Sequence, residues 1–511
     1  MKQKTKAQLS AELATWKGRA HKIRAEYDVL KSNKLRRTPK AERKSEAEIY
    51  TPAKRAKGSN VGRELERNYS SARGIIHQFR MNVVGPLGKL QVNVANGQEA
   101  AEWFNGVWAK DCDYRDAQHW STICQNVLAA VMREGDILSV FDDGLIDDSG
   151  KLLFWESDQI APCSEELFKA SFPGEGNVQD SGIVRNKYGR VIGYTVTGKR
   201  GCSLIDDAKD LTVWMRDNAV MPRDPWRMNQ GRGVPPMLTA AASLLDLYEM
   251  LARELQSAKK AASDYAFVTR KDAVDDWDAP GTMPEMLPEN SGKDAATVAT
   301  ETGGGADAPA RNYENLEAFT GGYMDYGEPG DTVTQYDPKR PNVNMAGFVE
   351  AVLCQAGAAF GLARAYAMLR ADSSYTAFRG DMIMTWQGAF YPMQKWLERC
   401  FADWVAVKAL TYAMRKGLIK TKLAEGWEKS LSWQWPRMPE VDTAKEQNAI
   451  AMALKNGVRD WSQLIGPDWK RHFDAIAEQI EYARKKGIPL SNMETKAGAV
   501  HETETQENNN E

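Results

Sequence analysis

The chain has 511 residues, 42% of them hydrophobic, and a formal net charge of −2 from 67 Lys and Arg against 69 Asp and Glu. That length and apolar content suit a folded chain with two or three cores and exclude a disordered one. No apolar run reaches the roughly 18 residues of a membrane helix, so no membrane partner is expected.

The basic start MKQKTKAQLS lacks the apolar centre of a signal peptide, which points to a chain that stays in the cytosol until assembled. Residues 1–57 carry 17 Lys or Arg and 6 Asp or Glu, leaving −13 for the remainder. Leu9, Leu13, Trp16, Ala20, Ile23, Tyr27 and Leu30 alternate steps of four and three, the seam of a coiled coil over about three heptads. Such a helix either meets a partner or lies on its own subunit. The linker from Lys31 to Lys57, with Pro39 and Pro52, reads as flexible.

Helical patterns at Ala100–Trp108 and Ala117–Met132 precede short apolar runs: GDILSVF, KLLFWES, GIVRN, GRVIGYTVTG and LTVWM. These read as a small mixed sheet. The acidic run Asp142–Gly150 lacks the ordered ligand pattern of a calcium loop and fits a hairpin turn better. Pro235 and Pro236 then open a helix with Leu238, Leu244, Leu245, Tyr248, Leu251 and Leu255 on its expected core face. The insertion from Asp264 to about Glu317 is rich in Asp, Glu, Gly, Pro and Thr, and reads as mostly loop.

Pro338 and Pro341 frame the start of a further helix, capped by Asn342 or Asn344 and stopped by Gly361. Phe348, Val349, Val352, Leu353, Ala356 and Phe360 share one face, while Ala351, Gly357 and Ala358 leave room for a neighbour. After a short break a longer helix opens at Ser374 or Tyr375. Its stripe is Phe378, Met382, Trp386, Phe390, Met393, Leu397, Phe401 and Val405, and Pro392 is expected to kink it without ending the stripe. Helix resumes at Val441–Asn456 and Asp468–Lys486, and a polar tail closes the sequence.

Cofactor and catalytic signatures do not emerge. Gly303–Gly305 is followed by Ala-Asp, not Gly-Lys-Thr, and neither Gly-x-Ser-x-Gly nor His-Glu-x-x-His occurs. The six cysteines include no Cys-x-x-Cys pair and read as reduced, mostly buried thiols. A site joining His119 to Cys112 or Cys124 has no support in spacing. The expectation is a protein without cofactor or metal, and not an enzyme.

Three collinear blocks carry a family resemblance. YDPKRPNVNMAGFVEAVLCQAGAAFGLARAYAMLRADSSYTAFRGD (Tyr336–Asp381) resembles the signature region of lambda-family phage portal proteins. ERNYSSARGIIHQFRMNVVG (Glu66–Gly85) resembles the family's opening helix, and RGVPPMLTAAASLLDLYEMLARELQSAKKAASDYAFVT (Arg232–Thr269) its central helix. With weaker similarity at Val441–Ala451, the likeness spans Asn60 to Lys455.

The resemblance implies an α+β, predominantly helical portal fold. Its parts would be an N-terminal heptad helix and linker (1–57), a mixed α/β wing (58–231), a first stem helix (232–263), a loop-rich clip (264–335) and a second stem helix (336–361). A tunnel loop (362–374), a long wing helix with its return (375–435), a helical crown (436–493) and a disordered tail (494–511) would follow. It also implies a ring, a dodecamer, at one capsid vertex of a virion assembled in the bacterial host cytoplasm. The partners would be double-stranded DNA contacted without sequence preference, the terminase large subunit, the head-tail connector, and the major capsid and scaffold proteins.

On this reading Arg364, Leu369, Arg370, Asp372, Ser373, Ser374 and Arg379 face the DNA channel; taken singly, each fits an ordinary structural role better, Ser373 and Ser374 as helix caps and Arg379 as a partner of Asp381 or of a neighbouring subunit. The stretch Leu-Arg-Ala-Asp departs from the family's Ser-Gly-Asp-Tyr pattern. Asp275, Asp276, Asp278, Glu285 and Glu289 would dock terminase or connector. The rival reading is a cytosolic coiled-coil scaffold or adaptor built on the N-terminal heptads.

Overall fold

The computed structural model describes residues 45–86, 88–94, 96–262, 266–270, 331–335, 345–371, 374–439, 443–458, 460–461 and 469–487. The heptad helix, the acidic insertion apart from residues 266–270, and the tail lie outside the described residues, as do Asp372 and Ser373.

In chain order, α1 (Glu46–Ile49), α2 (Pro52–Asn68) and α3 (Ser70–Phe79) lead into a π-turn at Arg80–Val84. Then come β1 (Lys89–Val92), α4 (Gly97–Gly106), α5 (Trp120–Glu134), β2 (Ile137–Phe141) and β3 (Leu152–Glu156). They are followed by α6 (Glu165–Ser171), β4 (Val178–Asp180), β5 (Ile183–Arg185), β6 (Val191–Val196), β7 (Thr212–Met215) and β8 (Ala219–Val220). The second half holds α7 (Pro236–Ala262), β9 (Ala266–Arg270), β10 (Asp331–Gln335), α8 (Met345–Ala358) and α9 (Arg364–Met368). It continues with α10 (Tyr375–Thr385), α11 (Tyr391–Leu397), α12 (Asp403–Arg415), β11 (Leu431–Gln434), α13 (Thr443–Lys455) and α14 (Trp469–Lys486). Among the described residues no helix is long and apolar enough to cross a membrane.

The described residues divide into two compact units. One takes 45–57, Asp158–Arg216 and Pro225–Gly233; the other takes Gly58–Ser157, Asp217–Asp224 and the chain from Val234. The expected division at 58–231 therefore spans residues of both.

In the first unit, β4, β5, β6 and β7 form an antiparallel sheet in that order, with Tyr194 opposite Ile183 and Trp214. Ala161, Cys163 and Ile205 make a small core with Leu167 and Phe168 against them. Buried Arg232 donates to the carbonyls of Ile160 (2.9 Å) and Ser181 (2.6 Å), satisfying backbone oxygens that the strands leave over.

The second unit is built around α5, whose His119 cap and left-handed Gly135 bound a helix that is apolar nearly all round. Trp120 is its anchor. Its ring stacks on Phe401 at 5.5 Å and meets Phe104, Trp108 and Trp433 at 5.7 Å each, and its Nε1 donates to the Gly88 carbonyl at 3.1 Å. The pair β1 and β11 closes this cluster, with Leu90 opposite Trp433.

The long helix accounts for most of the remaining core. From Tyr375 to Arg415 it is continuous through π-turns at Trp386–Phe390 and Glu398–Ala402, about 60 Å at 1.5 Å per residue. Its stripe from Phe378 to Val405 covers 27 residues in seven steps, six of them four residues long. An α-helix makes about 7.5 turns over that length and would carry the stripe off the core; one extra residue in each π-turn brings the count back to about seven. Met382, Trp386, Phe390, Leu397, Phe401 and Val405 are accordingly all buried. Pro392 sits at the start of α11, directly after the first π-turn, where the widened turn accommodates a residue without an N–H.

A partly buried ion network joins α2, α5 and β3. Arg133 pairs with Glu66 (2.5 Å) and Glu134 (2.7 Å), and Arg63 with Glu134 (2.7 Å) and Glu156 (2.9 Å). Burial opposes the charge on Arg133, but Glu134 and Glu66 hold its pKa above the ordinary value.

The acidic run after β2 is the tip of the β2–β3 hairpin. Asp142, fully buried, accepts from the N–H groups of Leu145, Ile146, Asp147 and Ser149 and from Ser149 Oγ, between 2.8 and 3.2 Å. These donors take up its carboxylate, and Tyr412 and Arg415 tie the tip to the end of α12 through Asp148.

Burial works to raise the Asp142 pKa, yet the donors from Ser149, Ile146 and Asp147 keep it below the usual 3.8. The stability it contributes is complete above about pH 4 and is lost as pH falls through the lowered value. Asp142→Ala should cost about 2–4 kcal/mol at pH 7. In guanidinium unfolding the gap between variant and parent should shrink at pH 3; an equal gap at both pH values would refute the account.

Candidate functional site

The segment joining α8 to α10 is where the sequence placed its channel-facing residues. It is made of two consecutive helix stops. After α8 the Gly361 backbone turns left-handed (φ 72), and the Leu362 N–H reaches back to the Gly357 carbonyl at 3.0 Å. Gly357 is needed for a second reason: a Cβ there would lie 2.4 Å from the Ala367 Cβ, so α9 packs directly on the α8 backbone.

The second stop, Leu369, closes α9 in the same left-handed conformation (φ 53), with the Arg370 N–H on the Ala365 carbonyl at 3.0 Å. Leu369 is 57% exposed, and Arg370 and Ala371 are also exposed. Arg364, at the start of α9, pairs with Glu350 of α8.

The long helix holds this segment from the other side. Ser374 caps α10, its Oγ accepting the Ala377 N–H at 3.3 Å. The Ala363 N–H donates to Thr385 Oγ1 and the Ala365 N–H to Asp381 Oδ2, both at 3.0 Å. Phe390, in the first π-turn, meets Tyr366 of α9 at 5.4 Å and Phe79 of α3 at 5.3 Å. A cavity of about 290 Å³ beside it is lined by Phe79, Phe360, Gly361, Gly388, Pro392 and Trp396, among others.

The structure thus brings Arg364, Leu369 and Arg370 together on one short helix and its cap. Ser374 and half-buried Arg379 lie on the next helix. Asp381, one of the two partners the sequence offers Arg379, accepts a backbone N–H of α9. Neither it nor Thr385 was singled out as an acceptor. The readable signal is a polar pair one turn apart beside the apolar stripe; the structure buries Thr385 fully, where its hydroxyl needs a partner. Asp372 and Ser373 fall outside the described residues, as do Asp275, Asp276, Asp278, Glu285 and Glu289 and the heptad positions Leu9, Leu13, Trp16, Ile23, Tyr27 and Leu30.

The two helices leading to this segment, α7 and α8, pack on each other, and the core side of α7 differs from expectation. Met237, Ala240, Ala241, Leu244 and Leu247 are buried, while Leu245, Tyr248, Leu251 and Leu255 are exposed. α7 carries two apolar stripes, and a helical period alone cannot tell which one a single chain covers. α8 has one charge, Glu350, in fourteen residues, yet Phe348, expected on its packed face, is 55% exposed.

The catalytic alternative finds His119 capping α5, its Nδ1 accepting the Ser121 N–H at 3.2 Å. Burial pushes the Cys112 thiol up to about 12 and Cys124 well above its ordinary value, so neither is a thiolate at neutral pH.

A sequence-family profile described as phage portal protein, lambda family, matches residues 31–390. The match takes in the basic linker and ends inside the first π-turn, short of Val441–Ala451. Nothing matches among the curated proteins. Similar solved structures include a chain of the virion of the native gene transfer agent particle, 11% identical, covering 80% of this chain and 91% of that one with a TM-score of 0.47. Another is from the neck of the empty particle computed with C6 symmetry, 12% identical, covering 79% and 92%, TM-score 0.47. A third is from the neck of the native particle computed with C12 symmetry, 11% identical, covering 80% and 93%, TM-score 0.45.

If Ser374 serves as a cap, Ser374→Ala should lower stability by about 1 kcal/mol and Ser374→Asp should leave it unchanged, because Asp caps equally well. Thermal unfolding checks this; equal losses in both variants would show that capping is not what the serine contributes.

Proposed function

The chain belongs to the lambda family of phage portal proteins, and we propose that it forms the closed ring at one capsid vertex through which double-stranded DNA is packaged and later ejected. The observation that carries this reading is the α7–α8 pair. A helix apolar on nearly every side, beside a second helix with an exposed Leu245–Tyr248–Leu251–Leu255 stripe, is stable in water only when further copies cover it. Two different apolar faces on one subunit give heterologous contacts, which form a ring when the rotation between neighbours closes; we take that ring to have twelve subunits.

In this ring α7 and α8 are the stem, and the α/β region before α7 is the wing. The acidic insertion is the clip, docking the terminase large subunit and then the head-tail connector. α13 and α14 belong to the crown. Arg364, Leu369, Arg370, Asp372, Ser373, Ser374 and Arg379 lie toward the channel, where arginine touches phosphate without reading sequence. The −13 carried by residues 58–511 suits a conduit that must not grip its cargo. The subunit itself is not an enzyme, ATP hydrolysis being the motor's task. It takes its place with capsid and scaffold proteins in the host cytoplasm and remains in the virion.

Negative-stain images of the purified chain, with its mass in solution, should show rings around a channel wide enough for duplex DNA. Leu251→Asp with Leu255→Asp should abolish rings and leave folded monomers with unchanged circular dichroism. Deleting residues 1–57 should leave the rings intact; monomers from that deletion, with rings surviving the stem substitutions, would favour the heptad scaffold instead.

A further inference from the structure

We infer that Asp381 and Thr385 form a latch on a strained joint, residues 361–371, which fixes where Arg370 is presented. The two side chains stand one turn apart on α10 and reach back to the N–H groups of Ala363 and Ala365, both at 3.0 Å. Those donors belong to the first turn of α9, which has no acceptors of its own for them. The strain lies at the other end. Leu369 occupies the left-handed position that glycine commonly takes at helix ends, with φ 53 and ψ 39.

Both ends meet in one residue. Ala365 gives its N–H to Asp381, and its carbonyl accepts the N–H groups of Leu369 and Arg370, the bonds that keep Leu369 left-handed. Losing the Asp381 bond therefore loosens the turn that holds the strain. The Leu369 side chain lies over α3, with its Cδ1 3.0 Å from where a Cβ on Gly74 would stand. The observed state is thus a balance. Two side-chain acceptors and the contact over Gly74 hold it, an unfavourable backbone angle opposes it, and the alternative is Leu369 at negative φ with Arg370 redirected.

The role of this joint in meeting DNA rests on the portal reading; the latch does not. Hydrogen exchange of the full-length chain, read by mass spectrometry over residues 361–371 with Trp120–Glu134 as the internal control, separates the two. Asp381→Ala and Thr385→Val should speed exchange at the joint about tenfold and leave the control unchanged. Asp381→Asn, which keeps an acceptor, should restore most of the protection.

Unchanged exchange in the first two variants would overturn the latch. So would faster exchange that spreads equally to the control, or Asp381→Asn exchanging as fast as Asp381→Ala. Absence of rings in the images, with the exchange pattern as expected, would remove the portal reading and leave the latch standing.

Discussion

A helix about 60 Å long has to keep one face on the core from end to end, and the second unit is arranged around that requirement. Its apolar residues advance by four, whereas an α-helix turns every 3.6, so an unbroken helix would rotate the stripe into solvent. The two π-turns cancel the drift. They also bring Phe390 between Phe79 and Tyr366 and Phe401 onto Trp120, and thereby fix α3, α5 and α9 to one axis.

Polar side chains reinforce the same axis where backbone groups would otherwise be stranded. Gln394, 5% exposed, donates to the carbonyls of Asn82, Val83 and Pro436, drawing the π-turn after α3 and the segment after β11 to the long helix. The Glu66–Arg133–Glu134–Arg63 network does the same between α2 and α5. Each of its charges is paired, as burial demands, so it supplies fixed geometry more than net stability.

Against this rigid support, the segment between α8 and α10 is the least economical piece of backbone. It has two left-handed stops within nine residues, one a leucine, with a five-residue helix between them whose first donors are satisfied only by the following helix. Strain of this kind persists when its surroundings determine it, and here they do so through Asp381 and Thr385. In the proposed ring, the same rigid body that carries intersubunit contacts also sets the one joint facing the cargo. Assembly and DNA contact then share a mechanical frame.

The sequence by itself determined the longer helices, the strands β2, β3, β5, β6 and β7, most of the buried stripe of the long helix, the stop at Gly361, the start at Ser374, and the family through three collinear blocks. These are local patterns, set by period, capping and turn chemistry. It read residues 46–57 as flexible linker, where the structure has α1 and the first turns of α2. It also contained, in the four-residue steps, the need for extra turns, although nothing local says where they fall. Only the tertiary structure decided which stripe of α7 is buried, because two stripes of equal character satisfy the same period and the neighbours choose between them. Likewise, Asp381 became a cap for α9 because the chain folds back across a gap of sixteen residues, a relation that no spacing rule encodes.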